Sequence, residues 1–184
     1  MHYEEKEVAM SRKAEATYYQ ERLDAASAKN QKDTELKKIV TPDEMPWETC
    51  PQGIIKHLVN KQMGTRTNTV DIYMQVIPPG SRSGKHRHMA EEYMFILEGK
   101  GYSLHWDVDM ELGEQYYWKV EETPSRWEWE QGDSVYIPPN TIHQHFNADP
   151  NHPVRFLGAE SRIMADMGLD DLEQLENAPE YGTD

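Results

Sequence analysis

Gly80-Ser81-Arg82-Ser83-Gly84-Lys85-His86-Arg87-His88-Met89-Ala90-Glu91-Glu92 runs straight into the apolar stretch Tyr93-Met94-Phe95-Ile96-Leu97, which closes on Glu98-Gly99. Side chains two apart on an extended backbone share a face, so His86 and His88 can aim two imidazoles at one point. Glu92 follows four residues after His88, near enough for a turn or bulge to return its carboxylate there, whereas Glu91 emerges on the opposite face. A His-x-His pair by itself carries little weight. The weight comes from a second stretch, Gly132-Asp133-Ser134-Val135-Tyr136-Ile137-Pro138-Pro139-Asn140-Thr141-Ile142-His143-Gln144-His145-Phe146-Asn147. It ends a strand in a proline turn and returns with a third histidine, His143. Borderline and hard cations accept such a mixture of imidazole nitrogen and carboxylate oxygen.

Outward from these stretches, the chain breaks into short runs. Val70-Asp71-Ile72-Tyr73-Met74-Gln75-Val76-Ile77 is one; residues 92–97, 101–106, 116–120, 134–137, 142–146 and 154–159 are others, separated by Gly, Pro, Asn or charged turns. Many short strands without an internal repeat predict an all-β domain, one barrel or sandwich over residues 41–162. Residues 1–40 read differently. From 4 to 38 there is no Gly or Pro, and Val8, Ala14, Tyr18 and Leu23 fall at loosely helical spacing, which predicts a helical N-terminal arm. Its apolar stripe is thin, so the arm either packs across the barrel or a partner subunit, the reading put first, or frays. Residues 163–184 are acidic and predict a short C-terminal helix around Leu169, Leu172 and Leu175, then a loose tail.

Across its 184 residues the chain carries 33 acidic against 19 basic side chains, a formal net charge of -14. Such a surface repels phosphate backbones and anionic lipid, which disfavours nucleic acid and membrane partners. No stretch approaches the roughly 20 apolar residues that span a bilayer, and the first residues lack the apolar segment of a secretory signal, so a cytoplasmic location is expected. Cys50 is the one cysteine, which rules out an intrachain disulfide and any cysteine-rich metal site. No Gly-x-Ser-x-Gly elbow or glycine-rich phosphate loop marks hydrolase or nucleotide chemistry. A small-molecule partner remains.

His145 lies two residues from His143 and should face the same interior, as a proton carrier, a substrate contact or a hydrogen-bonded barrel histidine. His57 and His105 have no such placement and read as ordinary core or surface residues. Arg82 and Arg87 flank the histidine pair; either could grip a substrate carboxylate, although solvated surface positions suit both. Tyr102, Trp106, Tyr116, Tyr117, Trp118, Trp127 and Trp129 read mainly as strand residues, with any inward-facing member supplying an aromatic pocket wall.

The two stretches resemble the signature motifs of the cupin superfamily. Gly80, His86, His88, Glu92 and Gly99 fill every fixed position of the first; Gly132, Pro138, His143 and Asn147 fill the second, with Asn140 where glycine is usual. Asparagine is among the few residues that tolerate positive φ there. The resemblance covers about residues 70–160. It implies a jelly-roll β-barrel with one divalent transition metal held near its mouth by His86, His88, Glu92 and His143. Iron(II), Fe(II), is the expected metal, with Mn, Zn, Ni and Cu as alternatives. The run from His86 to Gly101 is loosely similar to gentisate dioxygenase-like proteins, although those generally have two such domains and lack the motif glutamate. The implied activity is a mononuclear non-haem iron dioxygenase acting on a small aromatic or enediol-type substrate, with Glu92 or His145 moving a proton. The alternatives are a non-redox Mn or Zn decarboxylase, isomerase or lyase, or a non-catalytic metal-dependent binder. A homodimer or higher homo-oligomer is also expected.

Overall fold

The computed structural model describes residues 17–33, 36–67 and 69–182. The chain divides into two units, one ending at Leu36 and the other beginning at Lys37. In the first, α1 (Tyr18–Asp33) is a helix without Gly or Pro, closed at its start by a Thr17 hydroxyl that donates to Glu21 and by Gln20 donating to Asp24 one turn on. Its aromatic and leucine side chains, Tyr18, Tyr19 and Leu23, are exposed. The expected contributions of Val8 and Ala14 lie outside the described residues.

The second unit is all-β, as expected, and forms a cupin-type jelly roll. One sheet has the order β1 (Trp47–Cys50), β2 (Gly53–Val59), β3 (Val70–Ile77), β12 (Val154–Ser161), β5 (Glu92–Glu98) and β10 (Ser134–Ile137). The other runs β13 (Glu173–Glu176), β4 (Lys85–Arg87), β11 (Ile142–Asn147), β6 (Lys100–Trp106) and β9 (Ser125–Glu130). The hairpin β7 (Val108–Leu112) to β8 (Tyr116–Val120) forms a separate two-stranded sheet. Every ladder in the two larger sheets is antiparallel.

Alternation sets which side chains meet between the sheets. Along β5, Glu92, Met94 and Ile96 are buried while Tyr93 and Phe95 face out; along β12, Val154, Phe156 and Gly158 are buried. Ile77, Met94, Ile96, Trp129, Ile137, Val154 and Phe156 make one core cluster. Each such large side chain contributes about 1.5–3 kcal/mol by leaving water. This core fills one end of the barrel. Glu92 marks where it gives way to polar groups.

The expected short C-terminal helix is present, but it lies upstream of Leu169, Leu172 and Leu175. α2 (Ile163–Asp166) is a single turn, and Leu175 lies in β13, which pairs with the short strand β4 and forms the edge of that sheet. Glu173 stands opposite Arg87 and accepts a 2.7 Å hydrogen bond from its Nε. Leu169, Leu172 and Leu175 remain exposed, so a helix there would have no buried face to hold it. Pairing with an open strand edge outweighs weak local propensity.

Candidate metal centre

The short strand β4 carries His86 directly opposite His143 in β11. His88 follows as the chain leaves β4, and Glu92 opens β5 in the other sheet. A tight turn fixes this convergence: Asn140, at φ 61°, donates its backbone N–H to the His88 carbonyl at 2.7 Å, and its side-chain oxygen accepts from Arg87 at 2.8 Å. Asparagine thus supplies the left-handed conformation expected at that motif position and also ties the β10–β11 turn to the histidine segment. One donor atom from each of His86, His88, Glu92 and His143 can be chosen so that all lie within 4.8 Å of one another, and all four residues are buried.

Hydrogen bonds set the rings. His88 donates from Nδ1 to the Ala90 carbonyl, and His143 donates from Nδ1 to the Thr141 carbonyl, each at 2.9 Å. This leaves both Nε2 atoms facing Glu92 Oε2, at 3.3 Å and 3.5 Å. His86 Nδ1 and His143 Nε2 are buried with no hydrogen-bond partner. Unanswered polar atoms in a core carry a desolvation cost of about 1–3 kcal/mol each, and a cation among the four side chains would answer them together. The donor set therefore fits a divalent transition metal.

Without a cation the cluster is electrostatically divided. Burial holds His86 well below the usual imidazole range, aided by His143. Burial also opposes charge on His88, yet the hydrogen bond and charge of Glu92 raise it to about 9. Glu92 is held well below the carboxylate range by His143 and His88, against the burial that would raise it. The cluster keeps a carboxylate beside imidazoles, as metal ligation requires.

Sequence reasoning missed Tyr73. Its hydroxyl, projecting inward from β3, donates to Glu92 Oε1, so one carboxylate oxygen is held and the other faces His88 and His143. The ring crosses β12 at Gly158, where an added Cβ would lie 2.2 Å from Tyr73 Cζ. The inward alternation of residues 70–77 was the available signal; the glycine opposite Tyr73 on the neighbouring strand β12 is far away in sequence and was not a local one. Glu91, by contrast, faces outward and accepts from the Tyr136 hydroxyl at 2.9 Å.

His145 stands beside His143, ring centroids 5.5 Å apart. It accepts from Ser103 Oγ at 2.8 Å, which in turn accepts from Trp129 Nε1 at 2.9 Å. Burial, with His143 next, pushes it down to about 3. It is a neutral, hydrogen-bonded core group. His105, paired with His143 across β6 and β11, is buried and lowered to about 4 by burial and by His143.

A cavity of about 640 Å³ opens onto His86, His88, Glu92 and Tyr73. Its walls come from β1, β2, β3 and the segment after β2, and His57 lines it, hydrogen-bonded to Glu48 at 2.7 Å. Among the described residues, neither His145 nor Tyr102, Trp106, Tyr117, Trp118, Trp127 or Trp129 lines it. Trp129 belongs to the core, Tyr102 stacks on Phe146, and Trp127 borders a separate crevice of about 380 Å³. Arg82 and Arg87 also stay outside: Arg87 is held by Asn140 and Glu173, and Arg82 lies 3.7 Å from Glu176.

Comparison with known proteins bears on the fold and the family. Residues 73–159 match the family described as "Cupin domain". Auxin-binding protein 4 of Zea mays is 30% identical over 111 residues, 60% of this chain and 50% of that protein. An uncharacterised protein of Methanocaldococcus jannaschii is 29% identical over 115 residues, 61% of this chain and 75% of that one. The chain spans about half the length of the auxin-binding proteins it matches. Among solved structures, the capsular polysaccharide assembling protein CapF from Staphylococcus aureus superposes with a TM-score of 0.54 at 15% identity, covering 74% of this chain and 33% of that one.

Proposed function

We propose, on the premise that this chain is a cupin whose domain spans residues 73–159, that it is a mononuclear metal enzyme with His86, His88, Glu92 and His143 as the ligands. The observation that supports this most directly is the convergence of four buried donors with two orphaned imidazole nitrogens. Iron(II) is the metal we assign, and the activity a dioxygenase acting on a small aromatic or enediol-type molecule. When bound, such an ion supplies Lewis acidity and electron transfer between substrate and dioxygen. The protein's own part is to bind, orient and exclude water. Tyr73 holds Glu92 in place, the β2–β3 wall shields the cavity, and Glu92 is the group positioned to take a substrate proton. His145 serves as the neutral support behind His143.

Elemental analysis of purified protein, followed by oxygen uptake with catechols, hydroxybenzoates and β-diketones, tests this reading. Stoichiometric iron with substrate-dependent uptake is expected; metal without uptake refutes the dioxygenase. A second reading, a non-catalytic metal-dependent small-molecule binder, is favoured by the relatives named auxin-binding proteins and predicts saturable binding with no turnover.

Self-association belongs to the same proposal. Tyr93, Phe95 and Tyr136 stand exposed on the outer face of the six-stranded sheet, with the rings of Tyr93 and Tyr136 5.1 Å apart. At the usual strand spacing that face is about 25 Å wide. A second copy seated on it would bury roughly 800 Å² per partner, the size of a standard interface. No described helix is long and apolar enough to cross a membrane. We place the protein in the cytoplasm, in keeping with its single cysteine.

A further inference from the structure

The hairpin β7–β8 stands apart from both large sheets. Its strands pair only with each other, and the Glu121 N–H closes its root by donating to the Asp107 carbonyl at 3.0 Å. Its two faces differ in kind. Cross-strand partners share a face, so Val108 opposite Val120, Met110 opposite Trp118, and Leu112 form one side, while Asp109 opposite Lys119 and Glu111 opposite Tyr117 form the other. The second side suits water, with Lys119 3.4 Å from Glu111. The first is apolar and lies in water all the same: Met110, Leu112, Trp118 and Val120 are 52%, 75%, 46% and 40% exposed. An isolated two-stranded hairpin is marginal in water, and a contiguous apolar face on one marks a contact surface.

The same chain presents a face of the matching kind. On the outside of the six-stranded sheet, Met74, Leu157 and Phe95 stand in one row across β3, β12 and β5, with Tyr93 and Tyr136 paired beside them. The hairpin leaves the barrel at the rim of that face, since Asp107 at its root and Tyr136 line the same crevice. At the exposures above, its four side chains offer roughly 400 Å², half of the roughly 800 Å² that each side of a standard interface buries. One hairpin on a partner is therefore too small for a stable dimer, whereas a hairpin and a receiving face from each copy together reach the required size. We infer that two copies of this chain exchange hairpins about a two-fold axis, the apolar face of each hairpin lying on the outer sheet face of the other copy. This deepens the self-association reading and rests on it, naming the element that covers the sheet face.

The test measures self-association by light scattering and sedimentation for the wild type, Phe95→Glu, Trp118→Glu and an equimolar mixture of the two variants. Leu112→Glu, on the same hairpin face, serves as a second hairpin variant, and circular dichroism checks that each folds. The wild type should be a dimer. Each substitution sets an unpaired carboxylate into both symmetric contacts and should weaken association at least about a hundredfold. In the mixture, the hairpin of Phe95→Glu still meets an intact face on Trp118→Glu, so one contact of the two survives. The mixed dimer should therefore be at least about tenfold tighter than either variant with itself. A monomeric wild type, or a Phe95→Glu that stays dimeric, refutes the self-association reading and the inference with it. A monomeric Phe95→Glu beside dimeric Trp118→Glu and Leu112→Glu, or a mixture that associates no better than its components, overturns the inference alone.

Discussion

Removing one imidazole from the cluster deletes a donor and little core volume, so His86→Ala and His143→Ala should stay folded by circular dichroism while losing stoichiometric metal. Glu92 calls for a finer distinction. Glu92→Gln keeps an oxygen near the three imidazoles and should retain most of its metal, yet single-turnover rate should fall on the order of a hundredfold once the charge and the proton acceptor are gone. Glu91→Gln should change neither, because Glu91 faces outward against Tyr136. A dead Glu91→Gln beside an active Glu92→Gln would show that the wrong carboxylate has been named. The spacing of His86, His88 and Glu92 was legible because strand alternation and a four-residue step are local rules. Tyr73 was not legible as a partner of Glu92, since their contact is made across an intervening strand.

Among the elements, β3, β12 and β5 form one device: Tyr73 on the first passes over Gly158 on the second to reach Glu92 on the third. Gly158→Ala should therefore destabilise the fold by about 1–3 kcal/mol in urea denaturation and weaken metal affinity together. Tyr73→Phe removes only the hydroxyl; it should cost about 10- to 100-fold in metal affinity with little change in the denaturation midpoint. Equal midpoints and equal metal affinity in both variants would separate Tyr73 from the centre. The strands β5, β10, β11 and β12 were foreseen because they are short runs separated by Gly, Pro, Asn or charged turns. β9, with Ser125-Arg126-Trp127-Glu128-Trp129-Glu130, was obscured by its charges, and β1 and β2 by Pro46 and Pro51. β13 was misread as helix for a different reason. What makes it a strand is the open edge of β4, which only the folded molecule provides.

At the scale of the whole molecule, stability and metal binding are linked, whereas assembly is separable from metal binding. A chelator should lower the melting temperature, since a ligand present at a thousandfold excess over its dissociation constant contributes about 4 kcal/mol to the native state. Phe95→Glu on the outer sheet face should convert a dimer to a monomer in light scattering without changing metal content; an unchanged mass would remove that face from the interface. The account depends above all on one ion held by four side chains from two sheets. The most direct measurement is the metal-to-protein ratio, by elemental analysis, of the purified wild type and of His143→Ala prepared side by side. Close to one equivalent of a divalent transition metal in the wild type and almost none in the variant is the predicted result. A metal-free wild type, or a variant that retains its full equivalent, would contradict it.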